Sequence, residues 1–229
     1  MFSRIAPRYD ALNRTLSLSF DRLWRRRTAQ RFGEILERPD SRVLDLCCGT
    51  GDLTLALARE ARRRGRINHQ PVFGLDFAQP MLIRARRKSR RAHVTYLGGD
   101  VLQSPFPDQS FDLIVSSFGF RNLANYQAGL QEIYRLLRPG GWLGILEFCA
   151  EEIRMCGPIY KLYFRHILAR IGGAVSGDQD AYKYLPLSVS KFPSPDTLAA
   201  SMRDAGYAEV SYDKFTLGIV ALHTGKRSR

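Results

Sequence analysis

Apolar runs and amphipathic stretches alternate along most of this 229-residue chain. Residues 42–46, 72–75, 94–97, 111–118 and 142–148 are short, apolar on both faces and bounded by turn residues, the pattern of buried parallel strands. Between them, residues 53–64, 79–90 and 126–137 repeat their apolar positions at helical spacing. Arg138-Pro139-Gly140-Gly141 predicts a stop and a turn before the fifth strand. Residues 195–205 predict a further helix ending at Gly206, and residues 209–217 and 219–224, joined around Gly218, predict an antiparallel hairpin. This order specifies an α/β fold with a doubly wound, mostly parallel sheet of seven strands and an antiparallel C-terminal edge. No linker, repeat or low-complexity tract divides it, so residues 1–229 read as a single domain.

Two stretches stand outside the alternation. One is residues 1–33. The other is residues 151–192, which carries Ile159-Tyr160-Lys161-Leu162-Tyr163-Phe164 and then Ile167-Leu168. An aromatic segment inserted after the carboxyl end of a strand suits the roof of a ligand crevice, or a helix packed on the core.

The end of the first strand carries the most chemistry. Val43-Leu44-Asp45-Leu46 runs into Cys47-Cys48-Gly49-Thr50-Gly51-Asp52 and then an apolar helix. A strand, a glycine turn and a helix start form the first unit of a nucleotide site. The third glycine of the dinucleotide fingerprint is replaced by Thr54, and Asp45 would repel a pyrophosphate while favouring a cation. Asp76, at the end of the second strand, is placed to accept hydrogen bonds from two ribose hydroxyls. Asp100 follows a third apolar run. Adenosine, positive charge and no phosphate point to S-adenosylmethionine.

Charge and cysteine content refine this picture. Four cysteines, two of them adjacent, fit neither a disulfide framework nor a zinc spacing, so no metal is expected and the compartment reads as cytoplasmic. No apolar stretch approaches the roughly 20 residues needed to span a bilayer. The net charge is +13, and basic runs fall at residues 24–27, 62–64 and 84–91. The last two fall at predicted helix ends, where solvated cations are ordinary, and attraction to an anionic membrane surface is the other reading of the runs. Nucleic acid is not expected, because no recognised binding module is present and aromatics do not interleave with the basic runs.

Several blocks together resemble the menaquinone/ubiquinone biosynthesis C-methyltransferases. They are the opening residues 1–13, Phe118-Gly119-Phe120-Arg121-Asn122, Tyr134-Arg135-Leu136-Leu137-Arg138-Pro139-Gly140-Gly141, Leu146-Glu147-Phe148, Val175-Ser176-Gly177-Asp178, Tyr182-Lys183-Tyr184-Leu185 and residues 218–223. The resemblance covers nearly the whole chain. It implies a Rossmann-like class I methyltransferase fold with an N-terminal lid over about residues 1–33. It implies S-adenosylmethionine contacts at Thr50, Asp76, Asp100, Val101 and Ser117, and close backbone approach at Gly49 and Gly51, beside the cation-favouring Asp45. The implied substrate is a polyprenylated quinol, either demethylmenaquinol or the benzoquinol precursor of ubiquinone. A lipid substrate implies transient contact with an anionic membrane surface, for which Trp24 and the basic runs are candidates, and the reading leaves room for a homodimer.

A ring carbon becomes nucleophilic when the neighbouring hydroxyl ionises, so the site needs a phenolate partner. Arg121 and Asn122 are the candidates, with Tyr9 on the lid as a second hydrogen-bonding group. Arg121 paired with a structural carboxylate, and Tyr9 packed in the core, are the competing readings.

Overall fold

The computed structural model describes residues 10, 14, 17–66, 70–149 and 188–228. Its helices are α1 (Phe20–Arg31), α2 (Gly33–Glu37), α3 (Asp52–Arg63), α4 (Gln79–Lys88), α5 (Tyr126–Leu136) and α6 (Pro195–Asp204). Its strands are β1 (Val43–Leu46), β2 (Val72–Asp76), β3 (Val94–Gly98), β4 (Phe111–Ser117), β5 (Leu137–Phe148), β6 (Tyr207–Phe215) and β7 (Val220–Arg227). The seven strands form one sheet in the order β3-β2-β1-β4-β5-β7-β6. The first five run parallel, and β7 is antiparallel to both β5 and β6. The order reverses at β1, between β2 and β4, which opens a crevice at the carboxyl ends of these strands.

Strand side chains alternate between two apolar layers. Leu44 and Ile114 join Leu130, Ile133, Leu198 and Met202 on one face. Val43, Leu113 and Val115 join Ala29, Phe32, Leu53 and Leu57 on the other. Each fully buried Leu or Ile contributes about 1.5–3 kcal/mol, so these layers anchor the crevice. Asn125 caps α5 through the Ala128 N–H, and Ser194 caps α6 through the Thr197 N–H.

Three expectations are corrected. β3 is not buried on both faces: Tyr96 is its one buried residue, because the strand lies at the edge of the sheet. Arg138-Pro139-Gly140-Gly141 does not end the chain's regular structure. It lies inside β5, and the pairing with β4 absorbs the irregularity as a register shift between Phe111 and Leu113. Trp24 is not an interfacial anchor. It is buried against Phe118 and Leu146, and its Nε1 donates to Thr216 Oγ1 at 2.8 Å.

Residues 151–187 of the expected roof lie outside the described residues, as does Tyr9. No helix among the described residues is long and apolar enough to cross a membrane.

Candidate active site

A cleft of about 800 Å³, measured out to its open mouth, lies at the carboxyl ends of β1, β2 and β4. Of the site residues expected from the sequence, Gly49, Thr50, Asp76, Asp100, Val101, Ser117 and Asn122 line it. Four elements that are distant in sequence thus converge on one cavity.

Asp76 ends β2 with its side chain turned back over the glycine loop. Its Oδ2 accepts the Gly49 N–H at 2.8 Å and its Oδ1 accepts the Ala78 N–H at 2.8 Å. Burial raises the carboxyl above its ordinary range, against the pull of these two backbone bonds. Each oxygen keeps a further lone pair for a ligand hydroxyl. Asp100 is exposed and caps the short 3₁₀ turn Val101–Gln103 through the Leu102 N–H at 2.9 Å. Val101 is buried beside it.

The two glycines of the loop serve different ends. Gly49 takes φ +53, and a Cβ there would point into open space on the cleft side. Its backbone is therefore open to a ligand. Gly51 takes φ +79, and a Cβ there would fall 2.2 Å from the Tyr96 hydroxyl oxygen. Its small size is needed for packing beneath the loop, and it is not among the residues that line the cleft.

Asp45 is likewise corrected. It is 1% exposed and lies under the loop rather than on the cleft wall, because its place in β1 points it at α3. Thr54 Oγ1 donates to its Oδ2 at 2.6 Å, while Oδ1 has no hydrogen-bond partner. Burial pushes its carboxyl up to about 7, against the pull of Thr54 and Arg25. Cys47 and Cys48 sit in the same acidic, buried surroundings. Burial first, and then the neighbouring acids, push both thiols well up, so they stay protonated.

Arg121 is the main correction. Its guanidinium does not line the cleft. Nη1 donates to Glu147 Oε2 at 2.8 Å and to the Phe118 carbonyl at 2.5 Å, and Nε donates to Ser188 Oγ at 3.4 Å. The side chains of Arg121 and Glu147 are 6% and 1% exposed. The short 3₁₀ turn Phe120–Asn122 aims residue 121 back at β5 while Asn122 faces the cavity. Arg121 is thus the partner of a structural carboxylate, the competing reading of the sequence.

A different arginine lines the cleft. Arg25, on α1, is buried, pairs with Asp21 one turn earlier and donates through Nε to Ser117 Oγ at 3.4 Å. Sequence reasoning placed it in a surface run. The available signal was helical spacing, since Asp21, Trp24, Arg25, Thr28 and Ala29 share the buried face of α1.

The mouth of the cleft holds an ionic cluster. Lys88 Nζ reaches Asp52 Oδ1 at 2.5 Å, Asp10 Oδ2 at 3.0 Å and Thr50 Oγ1 at 3.0 Å, and Thr50 Oγ1 also meets Asp10 Oδ1 at 2.5 Å. Asp10, a residue of the expected lid, thus touches the glycine loop. Among the described residues no group of three or more His, Cys, Asp or Glu side chains is placed to hold a metal.

The chain is similar to known proteins in sequence and in fold. The profile of the ubiE/COQ5 methyltransferase family matches residues 1–227. A demethylmenaquinone methyltransferase of Thermus thermophilus is 47% identical over 99% of this chain and 100% of its own length. A ubiquinone/menaquinone biosynthesis C-methyltransferase UbiE of Escherichia fergusonii is 40% identical over 98% of this chain and 88% of its own. An S-adenosylmethionine-dependent methyltransferase of Thermotoga maritima, described as a possible histamine N-methyltransferase, shares the fold with a TM-score of 0.68 at 19% identity, over 99% and 98% of the two chains. Motif, topology and full-length similarity agree: the chain belongs to the ubiE/COQ5 methyltransferase family.

Proposed function

We propose that this methyltransferase transfers a methyl group from S-adenosylmethionine to a ring carbon of demethylmenaquinol, a reduced naphthoquinone with a polyprenyl tail. The observation that carries the cofactor assignment is the cleft wall itself. Asp52, Asp76 and Asp100 face it, and the orphaned oxygen of Asp45 lies just beneath. Such a wall suits a ligand with an ammonium and a sulfonium, and disfavours a phosphate. Asp76 would hold the ribose hydroxyls, Gly49 would admit the ligand against its backbone, and Val101 would lie along the base.

When bound, the cofactor supplies an electrophilic methyl. The chain must then hold the ring carbon in line with it, exclude water and favour the ionised ring hydroxyl. Arg121 is committed to Glu147, so the polar groups that the β4 end presents to the cleft are Ser117 and Asn122. Tyr9 keeps its place as a candidate hydrogen-bond donor from the lid.

Demethylmenaquinol is favoured over the benzoquinol precursor by similarity. The Thermus relative named for demethylmenaquinone stands at 47% identity and the Escherichia relative named for both quinones at 40%. The quinones that accumulate in a strain lacking this protein test the choice. An unmethylated naphthoquinone is expected. Accumulation of a benzoquinone precursor alone would move the assignment to ubiquinone, and an unchanged quinone pool would remove it.

A tailed substrate resides in the bilayer, and the outer surface of α1 and of the turn before it suits that meeting. Leu18, Phe20 and Leu23 are 62%, 42% and 38% exposed, with Arg22, Arg26 and Arg27 exposed among them. Apolar side chains flanked by arginines match an anionic lipid surface, where each cation contributes about 1 kcal/mol.

A further inference from the structure

Among the described residues lining the cleft, three carboxylates face a single cationic side chain, Arg25. Its guanidinium is fixed from several sides. Asp21 binds Nη1, Ser117 accepts from Nε at 3.4 Å, and the Phe118 ring lies 5.4 Å away at its centroid. Nη1 also comes within 4.0 Å of Asp52 Oδ2 in the first turn of α3.

The sheet order places this group relative to the rest of the site. Across β3-β2-β1-β4, Asp100 and Val101 follow β3, Asp76 ends β2, the glycine loop follows β1 and Ser117 ends β4. A ligand with its ribose on Asp76 and its base beside Val101 therefore extends its other end over the loop toward β4. Arg25 waits there.

We propose that Arg25 holds the carboxylate of the cofactor's amino-acid end, an inference that rests on the reading of the cleft as an S-adenosylmethionine site. The ammonium and sulfonium are matched by the acidic wall. The carboxylate is repelled by that same wall, and Arg25 is the one cation among the described residues lining it, since Lys88 at the mouth is already committed to Asp52 and Asp10. A guanidinium presents a planar set of donors suited to a carboxylate, and Asp21 holds it in place before the ligand arrives. The position on α1 also makes cofactor binding depend on this N-terminal helix.

Calorimetry with three ligands tests the assignment: S-adenosylmethionine, its decarboxylated form and 5′-methylthioadenosine, which lacks the whole amino-acid end. The wild-type chain should prefer S-adenosylmethionine over the decarboxylated form by about 10–100-fold, as for one charge-assisted hydrogen-bonded pair. The Asp21→Asn/Arg25→Gln variant removes the ion pair without leaving a buried charge. In it that preference should fall to about threefold or less, while the affinity for 5′-methylthioadenosine stays within about threefold. Arg25→Lys should lie between. A preference retained in the double variant overturns the assignment, and so does an equal loss for all three ligands, which would mark a purely structural arginine. Equal wild-type binding of the first two ligands overturns Arg25 alone and leaves the cleft reading standing. A wild-type chain that binds none of the three overturns both.

Discussion

Two buried arginine–carboxylate pairs flank the carboxyl end of β4, and only one of them opens into the cleft. Arg121 and Glu147 close on each other beneath the loop, with the Phe118 carbonyl and Ser188 as further partners. Arg25 and Asp21 sit on α1 with the guanidinium against Ser117 on the cleft wall. Both arginines are charged, buried and near the same strand end. What separates them is the direction of the backbone that carries them. The 3₁₀ turn after β4 sends residue 121 inward and residue 122 outward, whereas the helical face of α1 carries Arg25 to the cavity with Trp24 packed behind it. A motif can therefore sit at the cleft without its charged side chain lining it.

The largest effect should come from breaking the sealed pair. Arg121→Ala leaves Glu147 buried and unpaired, and should lower the free energy of unfolding by roughly 3–5 kcal/mol. Urea denaturation would measure it. Replacing both partners, as in Arg121→Met/Glu147→Leu, should recover much of the loss. A stable Arg121→Ala chain with lost turnover would instead return Arg121 to the chemistry.

Breaking the open side should change binding more than folding. Asp76→Ala should weaken S-adenosylmethionine by roughly 2–4 kcal/mol, because two ribose hydroxyls lose a charged acceptor. Unchanged calorimetric affinity would take Asp76 out of the site.

Asp45 lies between the two regimes, sealed like Glu147 but adjacent to the cleft. Its carboxyl is raised by burial from an ordinary value near 3.8 to about 7. The folded chain therefore holds this proton more tightly than the unfolded one. The stability it lends is full below about pH 4 and is lost as pH rises toward 7. Asp45→Asn should remove that dependence, so its melting temperature should gain on the wild type between pH 4 and 7 and hold the gain above. A difference that is flat with pH would contradict the raised carboxyl.

The smallest effect on the fold belongs to the outer surface of α1 and of the turn before it. Leu18→Ser/Leu23→Ser should leave the melting temperature within a few degrees, since exposed substitutions usually change stability by about 0.5 kcal/mol or less. Binding to anionic vesicles in a sedimentation assay should fall several-fold. Unchanged vesicle binding would remove this patch from the membrane reading.

Most of the sheet was legible because its central strands are apolar on both faces. β1, β2 and β4 fall within one residue of their expected bounds, and so do the helices that cover them, apart from the last turn of α4. β5 begins five residues early because a glycine turn can be absorbed as a bulge once a partner strand pairs with both sides, which a local reading does not see. The strand-end acids and Gly49 were legible because position at a strand terminus fixes them in the crevice. Arg121, Gly51 and Asp45 do not line the cleft, because adjacency to a loop does not say which way a side chain or a glycine's open face points. Arg25 was missed because it sits among surface arginines, and only its helical phase with Trp24 and Ala29 distinguishes it.

The most direct test of the whole account is a methyl-transfer assay on the purified chain with S-adenosylmethionine and demethylmenaquinone, supplied reduced or oxidised, with the product read by mass spectrometry. The account predicts a methylated naphthoquinol from the reduced substrate and little or none from the oxidised one, because only the quinol can ionise to activate its ring carbon. No methylated product from the quinol, or equal rates from both forms under strictly non-reducing conditions, would contradict it.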